Sequence, residues 1–367
     1  MKRWTALLLC LLMALALALT ASAEGPTVTG TVTEVEKYGH ALLDITIEDF
    51  EKAGFTLGDI VTVQAGTYTG DIPYFNGYYV DRGEYMVRAY PGHTCIAVCI
   101  NYGRFAETAG IGVGDQVTLT LKEKGGALTL QQINNLVYGD DRADYASDEV
   151  FANFREVTVG NIAAGRLYRS ATPVNNSRGR APYANALAEA AGIRSVMNLA
   201  NTVEELTGYF AEEGFTSDFY KGLYEAGHVI PLGMGIDFTT ETYAQTLASG
   251  ITFLAKEEPL FLIHCTEGKD RAGFASMILE ALMGATEEEI VADYMRSYTN
   301  YYGSEPGSEQ YELIAEKNIR EMLRAVAGLE KGASLAGVDL AAAAENYLLK
   351  AGVSAEDLAA LKTKLGE

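Results

Sequence analysis

Pro259-Leu260-Phe261-Leu262-Ile263-His264-Cys265-Thr266-Glu267-Gly268-Lys269-Asp270-Arg271-Ala272-Gly273-Phe274 passes from an apolar run, through a glycine-bearing polar loop, into a helical pattern. Pro259 to Ile263 suits a short buried strand. Beyond the loop, Phe274, Met277, Ile278, Ala281 and Leu282 recur at helical spacing. The order is strand, tight loop, helix, which sets the loop on a helix N-terminus. There the first backbone N–H groups lack partners and the macrodipole is positive, so the amides from Thr266 to Arg271 can converge on an anion.

The side chains extend that chemistry. A helix N-terminus with nearby cations favours thiolate over thiol, which makes Cys265 the expected nucleophile. Arg271, six positions on, carries a planar fork that matches two phosphoryl oxygens. Gly268 lets the backbone turn where a side chain would block it. Lys269 is either a second cation for an acidic substrate or a solvated lysine. A phosphoryl transfer also needs a general acid. Asp237, in Pro231-Leu232-Gly233-Met234-Gly235-Ile236-Asp237-Phe238, could lie on a mobile loop or cap the helix expected near Thr239.

The string HCTEGKDRAG resembles the phosphate loop of cysteine-dependent phosphatases, and its Lys-Asp pair resembles the bacterial branch with secreted tyrosine and phosphoinositide phosphatases. Asn153-Phe154-Arg155, Gly165 to Ser170, Gly192 to Leu199 and the tail Asn346 to Leu349 with Gly352-Val353-Ser354 follow in that family's order. The resemblance covers residues 150–367. It implies a tyrosine-phosphatase-like α/β domain in which Cys265 attacks phosphorus, Thr266 to Arg271 bind the phosphate and Asp270 is the first candidate acid, ahead of Asp237. It also implies that His264 holds the loop and that no cofactor or metal takes part. Arg155 and Arg169 match family positions that support the pocket, or each simply pairs with one of the many surface carboxylates. Two positions depart from the pattern. Ala272 stands where the family has Thr or Ser, which implies slower breakdown of a phosphocysteine, and Ala200 stands where arginine is common.

Phosphotyrosine-type esters, on a protein or a small molecule, lead as substrates, followed by inositol phosphates or phosphoinositides. A phosphate-sensing protein with weak turnover is a third reading. A rhodanese-type sulfurtransferase is a fourth, and the Lys269-Asp270 pair argues against it. The four histidines are scattered without ligand-like spacing, so no metal site is expected.

The first 23 residues follow the pattern of a secretory signal peptide: Lys2-Arg3, an apolar stretch from Ala6 to Leu19, and Ala21-Ser22-Ala23 as the cleavage motif. The apolar stretch is short for a membrane span, so a secreted product without stable membrane insertion is expected. Loss of Lys2 and Arg3 takes the formal charge from −21 to −23. So acidic a chain is a poor partner for nucleic acid, which is bound through basic surfaces. Cys95 and Cys99 fall four residues apart on one expected strand, about 13 Å at ~3.3 Å per residue, beyond disulfide reach.

Residues 27–137 alternate apolar and polar positions between glycine-rich turns, which predicts a small β-barrel or sandwich. Ala53-Gly54-Phe55-Thr56-Leu57-Gly58-Asp59 echoes Ala109-Gly110-Ile111-Gly112-Val113-Gly114-Asp115, each leading into a strand and implying pseudo-symmetric halves. Around Ile96 to Val117 the region resembles the C-terminal β-barrel of S-adenosylmethionine hydroxide adenosyltransferases, which implies the barrel shape and no activity. Residues 138–149 are acidic and polar, as a linker would be. From 150 onward, short apolar strands alternate with helical stretches, predicting a central sheet covered by helices.

Overall fold

The computed structural model describes residues 25–366, and the leader expected over residues 1–23 lies outside them. The chain divides into two compact units, the first ending at Leu136 and the second starting at Val137. Among the described residues no helix is long and apolar enough to cross a membrane.

The first unit is a closed seven-stranded barrel. Its strands are β1 (Thr27–Val35), β2 (Ala41–Thr46), β3 (Ile60–Ala65), β4 (Tyr68–Phe75), β5 (Tyr85–Arg88), β6 (Cys95–Ile100) and β7 (Gln116–Glu123). They run in the order β1-β2-β6-β5-β4-β3-β7. Alternation builds the interior: Val61, Val63 and Ala65 from β3 and Val117 and Leu119 from β7 are buried. Closure leaves no strand edge exposed. The repeated turns adopt one solution twice. Thr56 N–H donates to Asp59 Oδ2 at 2.7 Å and Gly112 N–H to Asp115 Oδ2 at 2.8 Å. The strands that these turns launch, β3 and β7, are antiparallel neighbours. Cys95 and Cys99 are both free thiols.

The second unit is a five-stranded sheet flanked by helices. Its strands are β8 (Arg155–Glu156), β9 (Leu167–Ser170), β10 (Ser195–Asn198), β11 (Val229–Pro231) and β12 (Phe261–His264), in the order β11-β10-β12-β9-β8. β12 is central and parallel to both neighbours, His264 lying opposite Asn198 on one side and Ser170 on the other. Only β8 runs antiparallel. All four residues of β12 are buried, as its unbroken apolar run requires of a strand covered on both faces. The helix Asp270–Leu282 that follows is buried on every side from Ala272 onward. The helices Glu287–Tyr302 and Leu340–Ala351 pack against it, and Tyr243 of the helix Glu241–Lys256 meets Phe274 edge-on. The C-terminal run divides into Leu340–Ala351 and Ala355–Gly366, with Gly352 at φ +107° closing the first.

Residues 138–149, whose composition suggests a linker, are folded into the second unit. Arg180 is buried there and donates to Asp140 Oδ1 at 2.5 Å, Gly139 O at 3.0 Å and Tyr145 Oη at 3.0 Å. Polar composition misleads at this point because the acids and carbonyls of the stretch satisfy a buried guanidinium.

Candidate active site

β12 ends at His264 and the helix starts at Asp270, so Cys265 to Lys269 form the loop at the carboxyl end of the central strand. That end of a parallel sheet is where α/β proteins bind ligands. The turn depends on Gly268. Its φ is +68°, and a Cβ there would lie 2.3 Å from both the carbonyl carbon and oxygen of Ser170. No side chain fits so close to backbone.

Each loop carbonyl from Cys265 to Lys269 has a hydrogen-bond partner. Cys265 O accepts from His264 Nδ1 at 3.4 Å, and Thr266 O accepts from Thr172 N–H at 3.1 Å. Glu267 O accepts from Tyr301 Oη at 2.7 Å and Asn153 Nδ2 at 3.1 Å. Gly268 O and Lys269 O accept from Arg169 Nη2 at 2.9 and 3.1 Å. Among the described residues, no protein acceptor takes the N–H groups from Thr266 to Arg271. The loop's carbonyls are thus engaged while its amides are not. Cys265 is buried.

Side chains close the bowl. Arg271 folds back over the loop, donating to Thr266 Oγ1 and Met234 O, both at 2.9 Å. The segment carrying Met234 is thereby tied to the loop. Lys269 donates to Tyr302 Oη at 3.2 Å, lies 3.4 Å from Glu267, and sits over the rings of Tyr298 and Tyr302. Burial works against its charge, but Asp270 and the surrounding oxygens hold it protonated. Lys269 is therefore an enclosed cation, and the solvated alternative is set aside. Glu267 also accepts from Tyr138 Oη.

The two candidate acids differ sharply. Asp270 is 53% exposed, yet protein crowds its carboxyl, and that burial raises its proton affinity above the ordinary aspartate range against the pull of Lys269. Asp237 is fully exposed and accepts from Thr239 Oγ1 at 2.6 Å and Thr239 N–H at 3.1 Å, bonds that favour its ionised form. It organises the turn before the helix Glu241–Lys256, whose cap is Thr240.

His264 is buried, and burial lowers its pKa to about 3, so the ring is neutral. Asn198 Nδ2 donates to Tyr220 Oη at 2.9 Å, and the phenol lies 3.2 Å from His264 Nε2. With Nε2 accepting that phenol hydrogen, Nδ1 keeps its own and donates it to Cys265 O. His264 thus braces the backbone at Cys265.

Behind the loop lies a buried polar layer that sequence reading only partly reached. Arg155 Nε donates to Asp293 Oδ1 at 2.7 Å, and Arg169 Nη1 to Asp293 Oδ2 at 2.6 Å. Burial opposes the charge on Asp293, but the two guanidiniums hold its carboxyl well below the usual range. Glu280, buried and hydrogen-bonded to it, is raised and neutral. Arg155 and Arg169 therefore act through the loop's support and do not line the bowl. Asp293, Glu280, Asn153 and Tyr301 were not among the expected site residues. The available signal was an acid, Asp293, within the stripe Ile290-Tyr294-Tyr298-Tyr301 on a buried helix face. Ala272 is fully buried and offers no hydroxyl to the sulfur.

A cysteine at the carboxyl end of the central strand and an arginine six residues later, in the first turn of the following helix, are set in this helix-flanked sheet. The sequence profile of the tyrosine phosphatase family matches residues 149–367, more than half of the chain, and the chain belongs to that family. A Cupriavidus necator protein bearing the name "Putative tyrosine-protein phosphatase" is 41% identical over 49 residues, 13% of this chain and 18% of that relative. The match thus spans less than a fifth of the relative's length. An uncharacterized conserved protein from Thermotoga maritima, of known crystal structure, is 22% identical, with a TM-score of 0.24 over 26% of this chain and 36% of that one.

Proposed function

We propose that this chain is a cysteine-dependent phosphomonoesterase acting on phosphotyrosine-type esters through a phosphocysteine intermediate. The observation that carries the reading is the set of loop amides from Thr266 to Arg271, which have no protein acceptors among the described residues, next to a buried cysteine. An array of donors around one point suits a tetrahedral dianion and stabilises charge on the equatorial oxygens in the transition state.

In this reading the Cys265 thiolate attacks phosphorus in line and forms the S–P bond as the ester O–P bond breaks. The Asp270 carboxyl gives its proton to the departing phenolate oxygen. A water then attacks phosphorus and passes a proton to the Asp270 carboxylate. The S–P bond breaks, returning the thiolate and releasing inorganic phosphate. Arg271 balances charge on the transferring group throughout. The leader-like residues 1–23 support a role outside the cytoplasm, which N-terminal sequencing of protein from culture medium tests by finding Glu24 first.

Hydrolysis of an aryl phosphate in the presence of chelator, lost in Cys265→Ser, is the deciding experiment. Buried Ala272 favours one second reading, a phosphate-binding protein with slow turnover. That reading expects a stoichiometric burst of phenol with little steady-state release. Thiosulfate-to-cyanide transfer in place of ester hydrolysis would overturn both.

A further inference from the structure

The barrel carries a concave surface of its own. A cavity of about 630 Å³ is lined by Tyr38, His40, Tyr78, Asn101, Tyr102 and Arg104, with Gly103 completing the wall. Its volume falls in the usual range for small-molecule sites. Tyr38 is 66% exposed and Tyr102 79%, so neither ring serves the core. Tyr102 also sits at φ +57°, a left-handed conformation that glycine takes freely and tyrosine does not. Folding alone favours glycine at that position.

The polar groups point the same way. Buried Arg88 donates to both oxygens of Glu36, at 3.1 and 2.9 Å, and to Tyr78 Oη at 3.2 Å. Tyr78, accepting there, gives its own hydrogen to His40 Nε2, 3.0 Å away. The remaining hydrogen of the imidazole is then on Nδ1. Burial, then Arg88, keeps the ring neutral. His40 is only 5% exposed, and its Nδ1 is a buried donor with no hydrogen-bond partner. Asn101 gives its amide hydrogen to Val80 O, keeping a side-chain oxygen as acceptor.

We infer that this cavity is a saccharide-binding site, in which a pyranose ring stacks its C–H face on the exposed tyrosines and its hydroxyls meet His40, Asn101 and Arg104. Planar and cationic ligands fit less well. The Tyr38 and His40 rings are inclined by 47° and those of His40 and Tyr78 by 42°, which makes a curved platform and no parallel-walled slot for a flat base. Lys37 lies over Tyr38 and Arg82 over Tyr102, so a quaternary ammonium would be repelled by cations at both rings, whereas a neutral pyranose is not. The same cations favour sugars bearing a carboxylate.

The test is a glycan array carrying neutral and uronic-acid oligosaccharides, with adenosine and choline conjugates on the same slide. It is probed with the full chain and with Tyr102→Gly and Tyr38→Ala, and captured glycans are then titrated calorimetrically. We expect glycan retention that falls at least tenfold in each variant, while Tyr102→Gly melts no lower than the parent because glycine suits that φ. Retention of neutral sugars or of uronates, lost in both variants, supports the site. No glycan retained, retention unchanged by either substitution, or retention of adenosine or choline alone overturns it.

Discussion

Arg169 joins Asp293 to the loop Cys265–Lys269: one guanidinium nitrogen lies 2.6 Å from Asp293 Oδ2 while the other donates to the carbonyls of Gly268 and Lys269. The shape of that loop therefore depends on a buried ion cluster packed against it. Two guanidiniums share one carboxylate there, and the second carboxyl, Glu280, stays neutral.

Breaking that cluster should be costly in one direction only. Asp293→Asn leaves Arg155 and Arg169 buried without their counter-charge, which costs about 3–5 kcal/mol. Glu280→Gln keeps a neutral hydrogen-bonding group and should cost about 1 kcal/mol. Urea denaturation of both variants checks this, and equal losses would sink the assignment of charge to Asp293.

Cys265→Ser should reduce aryl phosphate hydrolysis by on the order of 10³-fold or more, because a serine hydroxyl at that position has no base to activate it. In the parent protein, iodoacetamide should alkylate Cys265 faster than an ordinary thiol at neutral pH, and inorganic phosphate should slow the reaction. Mass spectrometry of the labelled peptide reads both effects. Ordinary reactivity without phosphate protection would contradict the nucleophile.

Asp270 must be protonated to act as acid, so the rate should fall on the alkaline side as pH rises through its raised pKa. Asp270→Asn should flatten that descent, whereas Asp237→Asn should leave the profile unchanged. The stability consequence has a definite sign. Burial disfavours the ionised form in the fold, so the native protein is least burdened below the usual aspartate range and loses that advantage as pH rises. Asp270→Asn should accordingly raise the melting temperature at neutral pH and give no gain under acid conditions.

Gly268→Ala places a methyl 2.3 Å from the Ser170 backbone at a φ that L-residues avoid. A loss of roughly 2–4 kcal/mol is expected, with kcat/KM reduced at least about a hundredfold as the amides swing off target. Calorimetry and steady-state kinetics on the same preparation check both. A variant with parental kinetics would refute the geometry of the loop.

Ala272→Ser restores a hydroxyl where the family resemblance implies one beside the sulfur. Faster breakdown of the phosphocysteine should shrink the pre-steady-state burst and raise kcat a few-fold. Rapid-quench measurements of phenol and phosphate release separate the two steps.

How far these features could be read in advance depends on their range along the chain. The run from Pro259 to Leu282 was legible because strand burial, a glycine turn and helical spacing are each set by near neighbours. The same holds for the twin turns ending at Asp59 and Asp115, whose carboxylates bond backbone three residues away. Residues 138–149 were misleading because polarity alone does not reveal that Arg180, some forty positions on, buries itself among them.

Local order in the chain was enough to specify the loop and the positions of Cys265 and Arg271, since one strand end and one helix start carry them both. Folding had to supply the rest. Asn153, Arg169, Asp293 and Tyr301 reach the loop carbonyls, directly or through one another, from three other elements, and buried polar contacts of that kind follow no sequence period. The surroundings of the two candidate acids, protein crowding Asp270 and the turn that Asp237 shapes through Thr239, likewise exist only once the sheet and helices have packed.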